Sequence, residues 1–199
     1  MKDGASVMRT IHGPWKLLGM VGCLGGCTTL VSHTTIEPYT KDKQQRNALE
    51  SLAENYCSNK RTLPGNGHPP RLPDYIYTTD GCSSWPDGSW QVCCVVHDIP
   101  YWCGGSEEDR KQTDEWLEQC ANEKATGMGD IMYPAVRIGG APWLPAPWRW
   151  GYGWDNWPQG YETIERSPSV KDLLERLKVR SIVEDHFMEI QKSPANPQH

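Results

Sequence analysis

The chain has 199 residues, a formal net charge of −5 and ten tryptophans against a single phenylalanine. That length allows one domain with a real core, or a domain with appendages. The acidic balance and the lack of a polybasic run argue against a nucleic-acid binder and against electrostatic docking to a membrane.

Eight cysteines point to an oxidising compartment. The N-terminus agrees, because Lys2, Arg9 and Lys16 flank a short apolar run, "LLGMVGCLGGC", too short to span a bilayer. Small residues before Cys27 in "LGGC" look like a bacterial lipoprotein signal, with cleavage before Cys27 and a lipid on its thiol. The expectation is a signal peptide over 1–26 and export to the periplasm or outer membrane, anchored at Cys27. A start at Met8, a cut before Cys23 in "MVGC", and plain secretion with Cys27 unmodified are the competing readings. If Cys27 is lipidated, the remaining cysteines of the mature chain are 57, 82, 93, 94, 103 and 120, an even number, as a disulfide framework requires.

Residues 27–45 are polar and read as a tether to a domain over 46–168. In "NALESLAENYCS", Leu49, Leu52, Ala53, Tyr56 and Cys57 have the spacing of one helical face. The breaker-rich "LPGNGHPPRLPD" is a loop, "YIYTT" predicts one short strand, and "DGCSSWPDG" is turn-rich. A helix is predicted from about Trp90 to Trp102, ended by Gly104 and Gly105. A second runs from Ser106, a good N-cap followed by acidic residues, to about Thr126. Residues 127–168, full of Trp, Pro and Gly, are expected to be irregular.

In that segment Trp143, Trp148, Trp150 and Trp154 suit a membrane or substrate surface, or else they plug a core that lacks Phe. A final amphipathic helix is predicted over 169–192, with Ser169 and Asp172 as a capping box. Its stripe is Val170, Leu173, Leu174, Leu177, Val183, His186, Phe187 and Ile190, and His186 on that stripe reads as structural. The fold class is therefore mainly α and disulfide-stapled, with few or no strands and two long antiparallel helices at its centre.

Within "CCVVHDIPYWC", Cys94, His97, Asp98 and Tyr101 share one helical face. The next helix carries Asp114 in "TDEWLEQC". An antiparallel register that opposes Asp114 to His97 also brings Cys120 close to Cys93, so two independent pairings agree. A histidine held by a buried carboxylate on one nitrogen can take a proton on the other. No serine or cysteine nucleophile is evident, so the species deprotonated is water. Asp98 faces the loop over 80–88, whose backbone carbonyls with the carboxylate would form an oxygen shell of the kind Ca2+ prefers. Such a cation would polarise a carbonyl under attack. Zinc fits poorly: Cys93 and Cys94 are adjacent, no CxxC is present, and the compartment favours oxidation.

"CCVVHD" with a tyrosine at 101 resembles the active-site helix of the secreted phospholipase A2 family, over roughly residues 75–121. "GCSSWPDG" occupies the place of that family's calcium loop. The resemblance implies that His97 is the general base, Asp98 the calcium carboxylate, and Tyr101 with Asp114 its hydrogen-bonded support. It implies loop carbonyls at Gly81, Ser83 and Trp85 as further ligands, and a Cys82–Cys94 bridge; with Cys93–Cys120, Cys57 is left for Cys103. Two features depart from the family pattern. Trp85, Pro86 and Asp87 replace a glycine-rich loop, and Pro100 replaces the cysteine before Tyr101. That proline predicts a kinked or tightened helix and a displaced Tyr101. The expected function is calcium-dependent hydrolysis of a glycerophospholipid ester at a phospholipid or membrane surface. The alternative is a non-catalytic membrane- or protein-binding module on the same scaffold.

Overall fold

The computed structural model describes residues 40–62, 71–74, 76–144, 152–153, 160–162 and 168–192. Within them the protein is mainly helical, with six helices, no strand and three disulfides. Cys27, Trp148, Trp150 and Trp154 lie outside the described residues.

Helix α1 (Lys43–Arg61) starts inside the expected tether. Asp42 caps it, its carboxylate accepting from the Gln44 and Gln45 amides at 2.8 and 3.0 Å, which satisfies donors that would otherwise be orphaned. Its buried face is Leu49, Leu52, Ala53, Tyr56, Cys57 and Lys60. Buried Lys60 pairs with Asp109 and donates to the Pro168 carbonyl.

Helix α2 (Gln91–Cys103) is buried from Val92 onward and ends at Gly104, whose φ of 77° suits glycine. Pro100 neither breaks it nor displaces Tyr101: the helix runs on to Cys103, and the Gly104 amide bonds the Pro100 carbonyl at 2.9 Å. So close to the helix end the proline removes one ladder bond, while Tyr101 is held by bonds to Asp114 and Arg110.

Helix α3 (Glu107–Lys124) opens with a Ser106–Asp109 capping box. Cys93–Cys120 and His97–Asp114 both join α2 to α3. Cys57–Cys103 ties α1 to the end of α2, and Cys82–Cys94 ties the preceding loop to its start. These are the partners that the resemblance implies.

Three further expectations fail. "YIYTT" pairs with no strand among the described residues. Instead Tyr77 donates to the Val95 carbonyl at 3.1 Å and packs edge-on against Trp102, so α2 takes the place of a partner strand. The segment expected to be irregular contains helix α4 (Met128–Gly139). Met132 is buried and Met128 and Val136 pack against the core, a spacing of one helical face, while Pro134 sits on the exposed side. The predicted helix over 169–192 is two helices, α5 (Val170–Arg176) and α6 (Val179–Lys192), broken at Lys178 with φ 52°. In one straight helix Val179 would lie about two and a half turns past Val170 and face away from it; the break buries both.

Gly129 fixes how α4 meets α3. A Cβ there would lie 2.0 Å from the Glu118 carbonyl oxygen, so backbone packs on backbone. Asn122 completes the joint, accepting from the Gly129 amide and donating to Asp130, each at 2.8 Å. Gly129→Ala is expected to cost about 1–3 kcal/mol through overpacking, read as a lower midpoint in thermal or denaturant unfolding. An unchanged midpoint would contradict this packing.

Candidate active site

The site begins with the helical period of α2. His97, Asp98 and Tyr101 fall on a face directed at α3 and at the loop before α2, and all three are buried. His97 Nε2 lies 2.9 Å from Asp114 Oδ1, and Tyr101 donates to the same oxygen at 2.7 Å. The tautomer consistent with this carries its proton on Nε2, so Nδ1 is the basic nitrogen. Nδ1 stands 3.9 Å from Asp98 Oδ1, beyond hydrogen-bond reach.

Asp114 is fully buried, which would raise its pKa, yet bonds from His97, Tyr101 and Arg137 hold it below the ordinary carboxylate range. Its other oxygen, Oδ2, accepts from Arg137 Nη1 at 2.6 Å, and Arg110 Nε lies at 3.7 Å. For His97, burial favours the neutral ring, but the Asp114 and Asp98 carboxylates outweigh it and raise the pKa above its usual value. Burial, then Asp114, holds the Tyr101 phenol well above its usual range, so it stays a donor.

Asp98 is in the opposite situation. Burial pushes its carboxyl up to about 6, against the pull of His97 and Thr79, and the charge of Asp80 adds to the rise. Thr79 donates to Oδ2 at 2.6 Å; its hydroxyl also accepts from the Gly81 amide at 3.1 Å, tying the carboxylate to the loop. The loop is tightly turned. Gly81 and Ser84 have φ of 88° and 55°, Trp85 bonds back to the Cys82 carbonyl, and Asp87 accepts from the Cys82 amide.

His97 and Asp98 open on a cavity of about 340 Å³, walled on the loop side by Gly81, Ser83 and Trp85. Leu117 of α3, Met132 and Val136 of α4, and Gly140 just past its end line the same cavity. The expected base, carboxylate and loop positions are thus brought together. Trp143 is not among the lining residues; it is 54% exposed and stands edge-on to Tyr161. Among the described residues no three His, Cys, Asp or Glu side chains converge to hold a metal. The donor chemistry nonetheless fits a hard cation, given a buried carboxylate whose one hydrogen-bond donor among the described residues is the Thr79 hydroxyl, with the loop lining the same cavity.

Sequence reasoning missed Thr79, Arg110 and Arg137. Arg110 precedes Asp114 by four residues on one helix, a spacing that places both on one face. Arg137 carried no signal once its segment was read as irregular. No protein-family profile, no curated protein and no solved structure matches the chain.

Asp114→Asn would leave two buried or half-buried guanidiniums facing a neutral amide. The expected loss is about 3 kcal/mol in denaturant unfolding at pH 7. The same change should lower the His97 pKa, followed by NMR of the ring. Because that pKa is raised in the fold, its stabilising contribution is complete below the unfolded value of 6.5 and fades as pH climbs through the folded value. That pH dependence should shrink in the variant; an unaltered ring titration would contradict the pairing.

Proposed function

We propose that this protein is a calcium-dependent, phospholipase A2-like hydrolase that cleaves a carboxylic ester of glycerophospholipids with water. The observation that carries this reading is His97, bonded through Nε2 to Asp114 and opening, beside Asp98, on a cavity also lined by Leu117, Met132 and Val136. An antiparallel helix pair is the frame such a site requires, and the pairing of Cys93 with Cys120 and His97 with Asp114 supports it.

In this mechanism the substrate's acyl chain lies along Leu117, Met132 and Val136, with its ester carbonyl at the loop. His97 Nδ1 takes a proton from water as the water oxygen attacks the carbonyl carbon. Asp114 keeps the ring in the reactive tautomer and offsets the positive charge that forms, while Arg137 and Tyr101 keep Asp114 ionised. As the tetrahedral intermediate collapses, His97 returns the proton to the departing glycerol oxygen. Asp98 and the carbonyls of Gly81, Ser83 and Trp85 would hold a calcium ion, which would supply electrostatic stabilisation of the oxyanion. The protein acts at a phospholipid or membrane surface, exported and anchored through Cys27, with the tryptophan-rich segment facing lipid.

A non-catalytic membrane- or protein-binding module is the second reading. It is favoured by the exposed side chains Ile131, Ile138 and Trp143, at 57, 73 and 54% exposure.

The two separate on acyl release from phospholipid vesicles, with calcium or with a chelator. His97→Gln is expected to reduce turnover by roughly 10²–10⁴-fold while the disulfides and the fold persist. Turnover surviving that change, or depending in no way on calcium, would remove the proposed mechanism. The rate should rise with pH as Asp98 ionises near 6 and His97 loses its proton above its ordinary value.

Asp98 gives a second test that does not need turnover. Its pKa is raised in the fold, from 3.8 to about 6, so its favourable contribution is complete below pH 3.8 and is lost as pH rises through 6. Above that, ionised Asp98 without a cation costs about 3 kcal/mol. Calcium should therefore raise the melting temperature at pH 7.5 more than at pH 5. Asp98→Asn should stabilise the chelated protein at pH 7.5 and abolish the calcium increment. A wild type whose melting is indifferent to calcium at pH 7.5 would refute the ligand assignment.

A further inference from the structure

We infer that Arg137 is a positioning residue for the hydrolysis proposed above, and that α4 is the element that delivers it. The inference rests on the hydrolase reading and adds to it a residue that the helix-borne motif does not contain.

Asp114 has no exposed surface, so both of its carboxylate oxygens need donors from the protein. Oδ1 is shared by His97 Nε2 and the Tyr101 hydroxyl. Among the described residues Oδ2 has one close donor, Arg137 Nη1 at 2.6 Å. Arg110 Nε is farther, at 3.7 Å, and its hydrogen is committed to the Tyr101 oxygen at 3.1 Å. A buried carboxylate oxygen left without a donor is costly, and the group turns to find one. Any such rotation would move Oδ1 off the His97 and Tyr101 donors. Arg137 therefore fixes the rotation of the carboxylate that fixes the imidazole.

Arg137 is itself held at its base. Arg110 Nη2 donates to the carbonyls of Val136 and Arg137, at 2.9 and 2.5 Å, and Nη1 donates to the Tyr161 hydroxyl at 2.9 Å. This places a fixed cation at the C-terminal carbonyls of α4, where it is favoured. Gly140 lets the end of α4 close on the site, since a Cβ there would lie 2.6 Å from the Tyr101 ring and hydroxyl. The Arg137 side chain is 24% exposed, against 0% for Asp114 and 2% for Arg110, so solvent reaches this network through Arg137. Arg137 is not among the residues lining the cavity. It acts through Asp114 and not on substrate.

A residue of this kind should affect turnover and leave binding alone. On phosphatidylcholine vesicles with calcium, Arg137→Met is expected to lower kcat about 10- to 100-fold with KM nearly unchanged. Arg137→Lys should recover part of the loss, because an ammonium restores charge and one donor but not the planar fork. In Arg137→Ala, added guanidinium ion should raise turnover, since the vacated path is open to solvent. An unchanged kcat in Arg137→Met, or a rise in KM with kcat preserved, would overturn the inference while leaving the hydrolase reading intact. If the wild type turns over no lipid, that reading fails, and the inference is then decided by the NMR signal of the His97 Nε2 proton. That proton should move and broaden in Arg137→Met and return in Arg137→Lys; an identical signal in all three proteins would overturn it. Should Arg137→Met fail to fold, Arg137→Gln carries the same comparisons, keeping a donor without the charge.

Discussion

The buried carboxylate of Asp114 is the constraint around which the helices are arranged. An ionised group with no exposed surface is tolerated only when charges and donors replace the water it has lost. Here those groups come from three elements: His97 and Tyr101 from α2, Arg110 from its own α3, and Arg137 from α4. None can shift along its axis without leaving a buried polar atom unpaired. The apolar core permits many ways of packing helices; this cluster is satisfied by one register. The arrangement that holds the fold in register is thus the same one that fixes the histidine tautomer.

Covalent links reinforce this at other points. All three disulfides end on α2, at Cys93, Cys94 and Cys103, and reach α3, the loop and α1 in turn. The helix that carries His97 and Asp98 is therefore the most constrained element among those described. That explains why Pro100 is harmless: the turn it weakens is bounded by the Cys57–Cys103 bridge and by Tyr101's bonds to Asp114 and Arg110. The loop is constrained as well, through Cys82–Cys94 and through the Thr79 bonds to Asp98 and Gly81.

Much of α2 and α3 was legible because their signals are periodic and local. The face shared by His97, Asp98 and Tyr101 follows from 3.6 residues per turn, and the Ser106 cap from three consecutive letters. What stayed hidden depends on contacts distant in sequence. The segment of α4 contains Pro134 and is flanked by Gly127 and Gly140, and those residues outweighed the spacing of Met128, Met132 and Val136. Gly129 is no helix breaker here, since its missing side chain is what lets α4 touch the backbone of α3. The break at Lys178 was equally invisible, because the apolar stripe on either side reads as continuous and only the burial of Val179 requires the turn. For Tyr77 and Thr79, β-propensity was overridden by hydrogen bonds to α2.

The two acids near His97 show how a shared setting yields different chemistry. Both are buried, and burial alone would raise both pKa values. Asp114 is met by two arginines, a phenol and the imidazole, and it stays a fixed anion. Asp98 is met by a hydroxyl and the far side of the imidazole, with Asp80 adding unfavourable charge, so its carboxyl is held near 6. Environments that push two neighbouring carboxyls apart divide the roles between them. An acid already neutralised by protein cations has no need of a metal and serves to orient. An acid left short of positive charge, beside a loop of backbone at the wall of a cavity, gains most from an added cation. Arg110 and Arg137 both meet Asp114, which leaves the Asp98 side as the flank where the divalent ion proposed above would lower the energy of the site. That asymmetry, not the count of carboxylates, is the physical basis for assigning the base to one nitrogen and the ion to the other flank.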